Sequence, residues 1–153
     1  MARFTFNLQP VLELRERNER DKQLVLAAFE LQRVELEDRI RRCQMMMDDE
    51  KRVMRDALGA GSAVDLQSVK MQAGATLGHH LDAHRAVLEL AGVFTKIEQA
   101  RAELAQAAMA RKAVELLKER AYEAFVREQN AREARELDEL AVMRHARIKE
   151  MML

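Results

Sequence analysis

The sequence predicts an all-α protein: a long antiparallel two-helix coiled coil with a short helix or loop at the hairpin tip. Three observations predict it. Charged residues reach 34% while aromatics are only 4% and Trp is absent, a composition that suits long helices better than a globular core. The only proline is Pro10, and all the glycines fall between Gly59 and Gly92, so residues 11–58 and 93–153 hold neither helix breaker. Apolar residues recur at steps of three, four and seven on both sides of that gap. The chain therefore reads as a single extended coiled-coil domain over 1–153, with a helix at 7–58, a tip at 59–76 and a helix at 77–150.

The first element begins in "RFTFNLQPVLELRERNER", where Phe4, Phe6 and Leu8 alternate with polar residues as a strand would. Helix-starting chemistry accounts for the stretch better. Asn7 is a good N-cap residue. Phe6 and Val11 then stand at the positions of a hydrophobic staple. Pro10 falls in the first turn, where its missing N–H has no helical partner to lose. Phe4 is left to cover the end of the second helix near Ile148 and Met151, or to meet a partner.

The first helix carries Phe29, Leu36, Ile40, Cys43, Met47 and Met54 on one seam, with Leu24, Leu31 and Val34 as an adjoining stripe. It should end near Leu58, with Gly59 as a left-handed C-cap. "GAGSAVD" supplies the break. Ser62 and Asp65 have capping-box spacing and could start a short helix through Ala73. Gly74 would stop it, and Thr76 would cap the next. That second long helix holds Leu90, Phe94, Ile97 and Leu104, the Ala-rich stretch 105–110, then Val114, Leu117 and Ala121, and finally Leu137, Leu140 and Ile148. Gly92 inside it is a tolerated small residue or a point of close backbone approach. The repeat drifts between these blocks, which predicts an irregular coiled coil with shifts of register. At about 1.5 Å per residue the two helices would span on the order of 70 and 100 Å.

Net charge is zero, and each half of the chain is itself balanced. Phosphate neutralisation needs a basic excess, so nucleic acid is not an expected partner. A single cysteine, Cys43, cannot form an intramolecular disulfide, which fits a reducing cytosol. Apolar runs such as "LVLAAF" are far too short to insert in a membrane.

Catalytic motifs are absent: there is no phosphate-binding Gly loop, no HExxH and no Cys pair, and none of the four histidines has Glu three residues before it. His80 and His84 at i,i+4, beside His79, have the spacing of two metal ligands. Polar surface near the tip is the plainer reading, so neither a metal nor a cofactor is expected. A two-helix hairpin has little interior in which to exclude water, which argues against an enzyme.

Two stretches resemble a known family. "FTFNLQPVLELRERNE" and "RKAVELLKERAYEAFVREQNAREARELDELA" (111–141) resemble the N- and C-terminal helices of the flagellar FliJ proteins. The resemblance implies a non-enzymatic component of flagellar type III export, cytoplasmic and peripheral at the membrane export apparatus. It further implies a coiled coil similar to the central stalk of rotary ATPases. Such a protein binds and stimulates the hexameric export ATPase, contacts the cytosolic domain of the export gate, and is linked to escort of export chaperones. Carried onto this chain, the ATPase-ring contacts are Arg111, Lys112, Lys118, Arg120, Arg127, Arg132, Arg135, Asp138 and Glu139. The gate contacts are His84, Leu88, Ala91 and Thr95. An injectisome stalk protein and a general coiled-coil adaptor or chaperone are the alternatives.

Overall fold

A computed structural model describes residues 3–59 and 65–151, with the side chains of 146 and 148–151 outside the description. It contains two helices, α1 (Gln9–Gly59) and α2 (Leu66–Met151), and no strand among the described residues. They pack against each other as a helical hairpin, in agreement with the predicted fold. The chain divides into two units, one of Met1–Glu19 with Ala107–Leu153 and the other of Arg20–Gln106.

In the Arg20–Gln106 unit the helices run antiparallel, as cross-helix pairs show. Lys22 reaches Glu103 at 2.6 Å, Arg101 reaches Glu30 at 3.0 Å and Arg39 reaches Asp82 at 3.3 Å. Cys43, Ala86, Val93, Ile97 and Ala100 are the buried residues here. Alanine at these positions lets two backbones approach closely while adding little side-chain entropy cost. Lys96 stands 5.9 Å over the Phe29 ring.

In the other unit Leu12 and Ala107 are buried. The segment before α1 is neither strand nor simple N-cap. The Gln9 N–H donates to the Phe6 carbonyl at 3.0 Å, closing a turn over Asn7 and Leu8, and the Leu12 N–H donates to Leu8 at 3.0 Å. Leu8 is therefore the capping residue, in place of Asn7, and Pro10 falls at the second helical position, where it is still harmless. The expected staple of Phe6 on Val11 loses its register with that shift: Val11 is exposed and Leu12 is the buried residue. The turn lets Phe4 reach α2, where its ring meets Tyr122 edge-on at 5.3 Å and Phe125 at 5.6 Å. Phe4 thus covers α2 well before Ile148 and Met151, whose side chains lie outside the description.

Along α2 the least exposed residues alternate in steps of three and four without interruption from Val69 to Phe125. The expected shifts of register are absent from this stretch. Phe94 and Leu117, assigned to the seam from sequence, are 45% and 47% exposed. The seam positions nearby are Val93 and Lys118 instead. From Lys22 to Met54 the same alternation runs along α1 and includes Arg33 and Glu50, but two consecutive steps of three through Glu16, Glu19 and Lys22 make one shift of register of the expected kind. Away from that step, polar residues in the seam account for the drift of the apolar pattern.

The tip also differs. α2 begins at Leu66 and runs through Gly74 and Gly78 with no stop before 77. A helical glycine costs about 1 kcal/mol, which tertiary contacts override. Here Thr76 and His79 face Glu50 of α1 at 2.6 and 3.5 Å. Asp65 is the N-cap itself: its carboxylate accepts from the Gln67 N–H and the Ser68 hydroxyl, both at 3.0 Å. Ser62 lies outside the described residues. Gly59 ends α1 as its last helical residue. A Cβ at Gly92 would meet nothing within 4 Å, so the small-residue reading holds.

Candidate functional site

Two surfaces hold the predicted contact residues. The first lies on α2 in the Met1–Glu19, Ala107–Leu153 unit. The structure separates its members by role. The Arg111 guanidinium is half-buried between Glu19 of α1 and Glu115 of α2. Its pKa is pushed above the ordinary arginine range, first by the hydrogen bond to Glu19 and then by that to Glu115. Lys118 donates to the Gln9 side chain at 2.9 Å, and Gln9 in turn donates to Glu13 at 3.3 Å. These two cations hold the seam together and are the least available to a partner.

The others are exposed. Lys112, Arg120 and Arg135 make no ion pair among the described residues, while Arg127 and Arg132 pair only with Glu123 at 3.9 Å and Glu128 at 3.6 Å on their own helix. Such exposed i,i+4 pairs contribute about 0.3–0.5 kcal/mol and yield easily to a stronger partner. They face different sides of the helix. Arg120 and Arg127 are seven apart, each two residues round from Lys118 and Phe125, and Asp138 shares their side of the helix.

Arg132, Arg135 and Glu139 belong to the seam face. Continuing the three-four alternation past Phe125 lands on Glu128, Arg132, Arg135 and Glu139, and every residue from Asn130 to Arg144 in α2 is exposed. The face that binds α1 through Phe125 therefore turns charged where α1 no longer accompanies it. Exposed Leu137, Leu140, Val142 and Met143 lie along the same segment. The sequence reading placed Leu137 and Leu140 in the seam; the switch from apolar to charged residues at seam positions is the signal it missed.

The second surface is on α2 in the Arg20–Gln106 unit. His84, Leu88, Ala91 and Thr95 are all exposed and follow steps of four, three and four, which puts them on one face. Leu88 is 72% exposed. The Thr95 hydroxyl donates back to the Ala91 carbonyl at 3.4 Å. The same spacing extends the stripe backward to Leu81 and Leu77, which are 50% and 58% exposed and were not picked out from sequence.

His84 stacks edge-on against His80, with ring centroids 5.0 Å apart. His79 points instead to Glu50 at 3.5 Å. No group of three or more His, Cys, Asp or Glu that could hold a metal occurs among the described residues. Likewise no described helix is long and apolar enough to cross a membrane.

No curated protein and no solved structure matches the chain. A family does, over nearly its whole length: the one described as "Flagellar FliJ protein" matches residues 4–150. With both terminal stretches, the hairpin fold and that match in agreement, the chain belongs to the FliJ family of flagellar proteins.

Proposed function

We propose that this component of flagellar type III export acts as a central-stalk-like hairpin. It binds and stimulates the hexameric export ATPase and links it to the cytosolic domain of the membrane export gate. Escort of export chaperones is a further role. The protein performs no chemistry itself. It stimulates by binding the hydrolysis-competent arrangement of the ring more tightly than the alternatives. It works in the cytoplasm, peripheral to the export apparatus.

The observation that supports this reading is the open, charged face of α2 beyond Phe125, where Arg132, Arg135 and Glu139 occupy seam positions with no helix beside them. Charged groups arranged this way favour recognition and rapid association over tight burial. The stripe from His84 to Thr95 is the gate contact, an exposed apolar and small-residue face suited to a second partner.

The test is ATP hydrolysis by the cognate export ATPase with and without the purified chain. Arg135→Glu combined with Asp138→Lys should remove most of the stimulation with helicity unchanged. Leu88→Asp should abolish capture by the gate's cytosolic domain and keep the stimulation. Full stimulation by the charge-reversed variant would remove the assigned ATPase contact.

A further inference from the structure

α1 carries another stripe, on the side away from its seam, and its charges mirror one another. In the Arg20–Gln106 unit Leu24 and Leu31 are 69% and 61% exposed. Ala27 and Ala28 lie exposed between them, and Arg20 and Glu35 are exposed at either end. Their helical spacing puts all six on one face. A twofold axis between Ala27 and Ala28, perpendicular to α1, sets Leu24 against Leu31 of a second copy and Ala27 against Ala28. It also sets Arg20 against Glu35. Opposite charges therefore meet at both ends of the stripe. A parallel copy would instead place Arg20 beside Arg20 and Glu35 beside Glu35.

We propose that this outer face of α1 is a self-complementary interface whose occupant is a second copy of the chain, docked antiparallel in a reversible homodimer. Every contact then occurs twice, as an isologous interface requires. The alanines at the axis allow the two backbones to approach closely, and the two leucines on each side leave water. The patch is short compared with a standard interface of roughly 800 Å² per partner, so association depends on concentration and is not obligate. The inference is independent of the export reading, and either can fail alone.

Sedimentation equilibrium of the full chain from low micromolar to near-millimolar concentration should show a monomer–dimer equilibrium that weakens with added salt. Arg20→Glu introduces two like-charge contacts per dimer and should raise Kd about tenfold. Glu35→Arg should do the same, and the double variant should restore the wild-type Kd. Leu31→Glu should abolish the dimer. These positions are exposed, and far-UV circular dichroism checks that each variant stays helical. In a Cys43→Ala background, Leu24→Cys mixed with Leu31→Cys should oxidise to a mixed disulfide dimer, and neither alone should. A single monomer mass at every concentration overturns the proposal and leaves the stripe to another occupant. A dimer untouched by Leu31→Glu, or one in which Leu24→Cys links to itself, overturns it equally.

Discussion

The two units close the same kind of seam with different materials. In the Arg20–Gln106 unit the buried positions are Cys43, Ala86, Val93, Ile97 and Ala100, and the polar Lys22, Arg33 and Glu50 are half-buried along the same seam. In the unit of Met1–Glu19 with Ala107–Leu153, only Leu12 and Ala107 are buried among the described residues. Glu16, Glu19, Arg111 and Lys118 fill half-buried seam positions there, and the aromatic contact of Phe4 with Tyr122 and Phe125 completes the packing. Apolar burial stabilises whether or not geometry is perfect. Partly exposed ion pairs add little net free energy and serve register more than stability. The first unit is thus built to hold the hairpin closed, and the second to open at low cost where α2 continues alone. Local unfolding should begin in the second unit.

The largest effect that tests this contrast is at Ile97, which is 2% exposed. Ile97→Ala should cost about 2–5 kcal/mol, toward the lower end because two helices can close up around the gap. Leu137→Ala, at a residue 67% exposed, should stay within about 0.5 kcal/mol. Urea unfolding of both variants measures the difference. Equal costs would mean that the open end of α2 is packed after all.

A smaller effect is expected at Phe4. Phe4→Ala removes two aromatic contacts from a half-buried ring and should cost about 1–2 kcal/mol. Its sharper signature is local. Hydrogen exchange should quicken at residues 9–16 and 118–125 and stay unchanged at 86–100. Faster exchange across 86–100 as well would join the two units into one cooperative block and erase the contrast.

The same contrast explains what could be read from the sequence. Apolar seam residues were legible: Leu36, Ile40, Cys43 and Met47 on α1, and Leu90, Ile97 and Leu104 on α2, all fall where the spacing put them. Where polar groups occupy the seam, the apolar pattern points to the wrong neighbour. Lys118 takes the place that Leu117 seemed to hold, since a long cationic side chain can lay its stem along the seam and reach Gln9 with its tip. The glycines misled for a related reason. Gly74 and Gly78 look like stops by propensity, but contacts of Thr76 and His79 with Glu50 carry the helix through. Of the candidate contacts, the sequence could give residue type but not face. It could not separate Arg111, held by Glu19 and Glu115, from Arg135, which stands in the open.

The smallest effect is expected where α2 starts, in the Arg20–Gln106 unit. Asp65 accepts the Gln67 N–H, and that bond, with the Ser68 hydroxyl, holds its carboxyl below the usual aspartate range. A carboxyl whose pKa is lower folded than unfolded stabilises the fold above its unfolded value, about 3.9. That contribution fades as pH falls through the lower folded value. Exchange of the amides in the first turn of α2 should therefore quicken on acidification, relative to the intrinsic rate, more in the wild type than in Asp65→Asn. Asparagine keeps an N-cap acceptor but cannot titrate. Asp65→Ala, which keeps neither, should exchange quickly at every pH. If Asp65→Asn shows the wild-type acid response, the carboxylate is not the group that caps α2. If Asp65→Ala destabilises the whole Arg20–Gln106 unit, the start of α2 contributes to the packed seam, and the contrast between an apolar body and yielding ends would have to be redrawn.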